Sequence, residues 1–154
     1  MYKPHNFGIK ELVSKKVYDY FKPRYGEDFI WGLFDEDILI DLQLIRTTWG
    51  KEIIINNWSM GGNLTQCGLR SNADPMVKAK SNPYLSGHCL AKAFDLHDKG
   101  GDNKGLYNHL IALIRAGKTR KIKRVESWTI TGPLNYVHCD GIRPVKANEI
   151  VFTV

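Results

Sequence analysis

Cysteine is scarce in this chain, and what there is comes unpaired: Cys67, Cys89 and Cys139, with no Cys-x-x-Cys among them. An odd, scattered set excludes a disulfide framework and fits small buried or half-buried thiols. Long apolar runs are missing too. A membrane helix needs about 18 or more consecutive apolar residues, and no such run exists, so no membrane span is expected. The opening stretch, MYKPHNFGIKELV, has neither an apolar h-region nor a small-residue cleavage site, so it does not read as a secretory signal. Repeats, low-complexity tracts and an obvious linker are also absent. The 154 residues are therefore expected to form one domain, 1–154, large enough for a real core.

Positive charge is in excess, with a net charge of +6, but the excess is local. Arg115, Lys118, Arg120, Lys121, Lys123 and Arg124 crowd into RAGKTRKIKR. Without these six, the remaining 16 basic residues match the 16 acidic ones. Such a patch can attract a polyanion such as nucleic acid or a cell-wall polymer, or it can be a solvated helix end and loop. No nucleic-acid-binding motif accompanies it, so no specific nucleic-acid partner is expected.

Hydrophobic spacing gives a coarse map. Ile9, Leu12, Val13, Val17 and Phe21 fall at helical spacing, ended by Pro23 and Gly26. Asp35 can cap a second helix with Ile38, Leu39, Leu42 and Ile45 on one face. KEIIINNW, 51–58, reads as a strand, and the Gly-, Ser-, Asn- and Pro-rich residues 59–84 read as a long loop of the functional kind. A further strand is expected over Ala93 to His97. A helix then follows from Asp102 to about Ala116, with Leu106, Leu110 and Ile114 inward and Gly117 as its stop. RVESWTI and NYVHCDGI read as two strands around the turn TGPL. Helices first, then strands, predict an α+β fold with an antiparallel sheet flanked by helices.

The polar residues on those strands carry the chemistry. Alternate strand residues share a face, so Asp95 and His97 oppose Phe94 and Leu96. Likewise Tyr136, His138 and Asp140 share one face, and Val137 and Cys139 the other, which turns Cys139 away from His138. His88, Asp95 and His138 together offer two imidazoles and one carboxylate. Zinc takes these donors in catalytic sites that keep a position open for water. Each of the three alone is an ordinary structural residue.

In SGHCLAKAFD, the residues Ser86, His88, Ala93 and Asp95 resemble the Ser-x-His-x-x-Gly-x-Ala-x-Asp signature of the zinc D-Ala-D-Ala carboxypeptidase and L-Ala-D-Glu endopeptidase family, which shares its fold with the hedgehog signalling domain. YVHCD resembles that family's late aromatic-x-His element, and QCGLR its early Gly-x-Arg turn. INNWSMGGNLTQCGLR is similar to a block in small phage and prophage peptidases of the family. The resemblance runs from about Phe7 to about Asp140, most of the chain. It implies a hedgehog/DD-peptidase-like fold with zinc bound by His88, Asp95 and His138. The ion would lower the pKa of water toward about 7. Arg70 would grip a substrate carboxylate or steady the oxyanion, Ser86 would hydrogen-bond substrate, and Trp58 would be a cleft wall or a core aromatic.

The implied activity is zinc-dependent hydrolysis of an amide in peptidoglycan stem peptides, as endopeptidase or carboxypeptidase. The implied setting is phage-type wall lysis by an endolysin-like monomer. Synthesis in the cytoplasm would be followed by release to the wall or packaging in a virion. A non-catalytic zinc-binding module of the same fold is the alternative.

Two departures from the family pattern stand out. The signature glycine is Ala91, which costs about 1 kcal/mol if that position needs φ > 0. Many family members carry an acid three residues before the last histidine, and here that residue is Asn135. The expected replacement general base is Glu126: a β hairpin folded about Gly132 sets it opposite His138. Glu126 can instead pair with Arg124 or Lys123. Asp140 is the second catalytic candidate, or orients a ligand histidine. His97, beside Asp95, can do likewise or donate a proton.

Overall fold

A computed structural model describes residues 1–80, 85–142 and 149–153. The end of the expected 59–84 loop, residues 81–84, lies outside them. The expected first helix is two. Helix α1 covers Ile9–Leu12 and α2 covers Lys15–Tyr25, with Pro23 inside α2 and Gly26, at φ 80°, ending it. The break falls at Val13, which is extended and forms a parallel bridge with Leu69. Leu69 N donates to Leu12 O at 2.8 Å, and Ser14 N donates to Leu69 O at 2.9 Å. Ser14 then caps α2 by accepting from Val17 N. Helical periodicity runs through this break because Ile9, Leu12, Val13 and Val17 are all buried in the one core.

Helix α3 spans Glu27–Trp31, and α4 spans Glu36–Trp49 with Asp35 as its cap. Ile38, Leu39, Leu42 and Ile45 are fully buried, as their spacing predicts. Strand β1 is only Ile53–Ile54, and a short helix α5, Pro75–Lys78, interrupts the long loop. Strand β2 is Ala93–Asp98. Helix α6, Asn103–Arg115, is capped by Asp102 and buries Leu106, Leu110 and Ile114, with Gly117 at φ 64° beyond its end. Strand β3 is Arg124–Glu126, helix α7 is Trp128–Thr131, and β4 is Val137–Asp140. Residues 128–130 are thus helix where a strand is expected, and the helix runs on into the expected turn at Thr131. A 3-10 turn at Gly132–Leu134 completes a helical connection in place of a tight hairpin. Ser127 starts that connection by accepting from Thr129 N.

The register survives the longer connection. Arg124 pairs with Asp140 and Val125 with Cys139, which brings Glu126 beside His138. The sheet order is β1–β2–β4–β3–β5, where β5 is Val151–Phe152. The pairs β1–β2, β2–β4 and β4–β3 are antiparallel, but β5 runs parallel to β3. The fold is therefore α+β with a mixed sheet, a correction to the expected antiparallel one. A two-residue edge strand has too few alternations to be read from sequence. Phe94, Leu96, Val137 and Cys139 are fully buried in one core with the residues of α4 and α6. The opposite faces of β2 and β4 carry the polar residues.

Candidate metal centre

Asp95 on β2 and His138 on β4 are directly paired across the sheet. Opposed residues carry their Cβ atoms about 4.5–5.5 Å apart, so the two side chains meet above the same face. His88 comes from the turn that leads into β2. Ser86 Oγ accepts from Cys89 N at 3.4 Å, and Lys92 N returns to Gly87 O at 2.8 Å. Closing that turn sets Ala91 at φ 54°, in the left-handed region that glycine enters most easily. Gly87 is required for packing, since a Cβ there would come 2.8 Å from that of Ala93.

Three donor atoms converge. His138 Nδ1 lies 2.7 Å from Asp95 Oδ1, His88 Nε2 lies 3.3 Å from the same oxygen, and the two ring nitrogens are 3.3 Å apart. These three residues can hold a metal ion. Nitrogen and oxygen donors about 2.1 Å from one ion stand about 3 Å from each other, so the triangle has the right edges.

The surroundings prepare each donor. His88 Nδ1 lies 2.9 Å from Gly68 O; a carbonyl only accepts, so the proton sits on Nδ1 and the Nε2 lone pair faces the other donors. Burial pushes the His88 imidazole down, favouring that neutral form. Arg70 Nη2 holds Asp95 Oδ2 at 2.8 Å, which leaves Oδ1 for the site. Burial works against the Asp95 charge, but the His88 and His138 imidazoles hold its carboxyl well below the usual range. Burial also opposes a charged His138, yet Asp140 and Asp95 overcome it and push the imidazole up to about 9.

The donors lie in a cavity of about 750 Å³ that is also lined by Arg70, Ser86, Glu126, Tyr136 and Asp140. The expected metal ligands, general-base candidates and substrate-binding residues thus border one space. Their engagements differ. Asp140 is held at both oxygens by Arg124, at 3.0 and 2.9 Å, while His138 Nε2 stands 3.8 Å away. Burial opposes its charge, but His138 and Arg124 keep its carboxyl below the usual range. That arrangement orients His138 rather than freeing a base. Glu126 is 8% exposed and makes no hydrogen bond or ion pair among the described residues. The alternative partners are occupied: Arg124 by Asp140, and Lys123 Nζ by Thr119 O at 2.8 Å. Burial, with Asp95 and Asp140 nearby, pushes the Glu126 carboxyl up against the pull of His138.

Arg70 enters the cavity with its charge already matched by Asp95, and its Nε donates to Gln66 O. Asn135 is exposed at φ 59° and accepts from Asn103 Nδ2 at 2.9 Å, so it faces α6 and does not line the cavity. Trp58 is no cleft wall: its Nε1 donates to Val13 O at 2.9 Å and its ring packs on Tyr18. Cys139 is buried with Sγ toward Phe94 O, away from the donors.

Sequence reasoning misses two contributors, Asn56 and Phe152. Asn56 is buried and ties the loop to α1 and its end: Nδ2 donates to Glu11 O and Val13 O, and Oδ1 accepts from Cys67 N at 2.8 Å. That anchoring is what the block INNWSMGGNLTQCGLR encodes. Phe152 of β5 packs edge-on to His138 and beneath the Arg124 guanidinium. Tyr136, which alternation along NYVHCD sets on the side of His138, also lines the cavity although it lies just before β4.

The basic stretch is partly neutralised. Arg120 pairs with Asp37, Lys121 with Asp35, and Arg124 with Asp140. Comparison with protein-family models, curated proteins and solved structures finds no match for this chain.

Proposed function

We propose that this chain is a zinc peptidase that hydrolyses an amide bond in peptidoglycan stem peptides. One observation carries the reading: two imidazoles and a carboxylate converge beside a buried glutamate with no partner among the described residues, in one open cavity. The donor set suits zinc. The resemblance of SGHCLAKAFD, QCGLR and YVHCD to wall peptidases of phage type supplies the substrate class and the hedgehog/DD-peptidase comparison.

His88, Asp95 and His138 would hold the ion, whose Lewis acidity would lower the pKa of water at the site. Glu126 takes a proton from the attacking water and returns it to the leaving amine nitrogen. Its raised pKa brings it nearer to neutral pH, where a base of this kind works best. Arg70 keeps Asp95 aimed, Asp140 with Arg124 keeps His138 oriented, and Ser86 stands at the wall where a substrate backbone can reach it.

The test is release of fragments from purified peptidoglycan. Glu126→Gln is expected to lower turnover by about 10²–10⁴-fold while zinc content stays the same. A protein that binds zinc but turns over nothing in either form is the non-catalytic module, the reading that Asn135 at the usual acid position favours.

A further inference from the structure

Amide hydrolysis places negative charge on the carbonyl oxygen at the tetrahedral stage, and a donor aimed at that oxygen is worth much of the rate. The arginine, serine and histidine donors considered first are engaged. The Arg70 and Arg124 charges are matched by Asp95 and Asp140. Ser86 Oγ stands 3.5 Å from Cys89 Sγ. His97 has Nε2 3.8 Å from Cys67 Sγ and a backbone hydrogen bond to Asn135. Tyr136 differs from all of them. It immediately precedes β4, two residues before His138, lines the same cavity, and its hydroxyl has no hydrogen-bond partner among the described residues. Its ring rests against His97, 6.1 Å between centroids.

We infer that the Tyr136 hydroxyl is the donor to the scissile carbonyl oxygen, hydrogen-bonding it more strongly as charge builds there; this rests on the peptidase reading above. No bond to Tyr136 forms or breaks, and its proton stays on oxygen.

Tyr136→Phe keeps the ring and removes the donor. Peptidoglycan-fragment turnover is expected to show kcat about 100-fold lower with KM within about threefold. A phosphinate analogue of the peptide bond that the wild type cleaves mimics the tetrahedral stage. Calorimetry is expected to show it binding Tyr136→Phe at least about tenfold more weakly, at unchanged zinc content. Unchanged kcat and phosphinate affinity in the variant overturn the inference alone. Loss of zinc in the variant also overturns it, by making Tyr136 a positioning residue. A wild type with no turnover overturns the peptidase reading and this inference with it.

Discussion

At the scale of single residues, the candidate metal ligands are fixed by neighbours outside the donor trio. Arg70 is the clearest case. It is 6% exposed, and its partner Asp95 is equally sheltered. Removing one member of a buried ion pair costs about 3–5 kcal/mol, because the other charge is left uncompensated. Arg70→Met is therefore expected to lower unfolding stability by about that amount and metal affinity by about 10–100-fold, measured by urea titration and by competition with a chelator. A variant as stable and as tightly loaded as the wild type would show that Arg70 does not hold Asp95.

His138 gives a pH signature. In protein stripped of metal, its imidazole keeps a proton up to about pH 9. Binding an ion needs the neutral ring, so uptake at pH 7 should release a proton. Affinity should then rise about tenfold per pH unit and level off above pH 9. Calorimetry in buffers of different ionisation heat counts that proton, and uptake at pH 7 with none released contradicts the arrangement.

At the scale of elements, α4 does more than fill the core. Its Asp41 is fully buried and accepts from the backbone N–H groups of Arg120, Lys121 and Ile122, at 2.7, 2.6 and 2.7 Å. This staples the basic loop that leads into β3, and hence places Glu126. Asp41→Ala strands three donors, so a loss of about 3 kcal/mol in denaturant unfolding is expected, and a loss below about 1 kcal/mol would show the loop is held elsewhere. Elements with long apolar periodicity were legible in sequence: α4 and α6 match their expected caps and faces. The β3–β4 register was legible too, although its connection is helical, because alternation along NYVHCD fixes which residues share a face. The split at Val13 and the edge strand β5 were not legible. Both depend on backbone pairing with distant residues, Leu69 in one case and β3 in the other, and leave no local pattern. Of the site, the candidate trio His88, Asp95 and His138 could be read from residue type and resemblance. The hold of Arg70 on Asp95, the anchoring by Asn56 and the approach of Phe152 to His138 could not, since they join residues far apart in the chain.

At the scale of the whole molecule, one face of a mixed sheet packs the core and the other carries a polar cavity. The surplus positive charge lies largely in the 115–124 stretch, where three of the six basic residues are ion-paired. Nucleic-acid binding is accordingly expected to be weak and insensitive to removal of the ion, checked by titrating duplex DNA at two salt concentrations. Tight binding with a steep salt dependence would instead make the basic stretch the working surface. The central claim is that His88, Asp95 and His138 form a zinc site, and elemental analysis of the purified protein beside His138→Ala tests it most directly. One zinc per chain, lost in the variant, is the expected result. A wild type that holds no zinc, even after zinc is supplied, would contradict the claim.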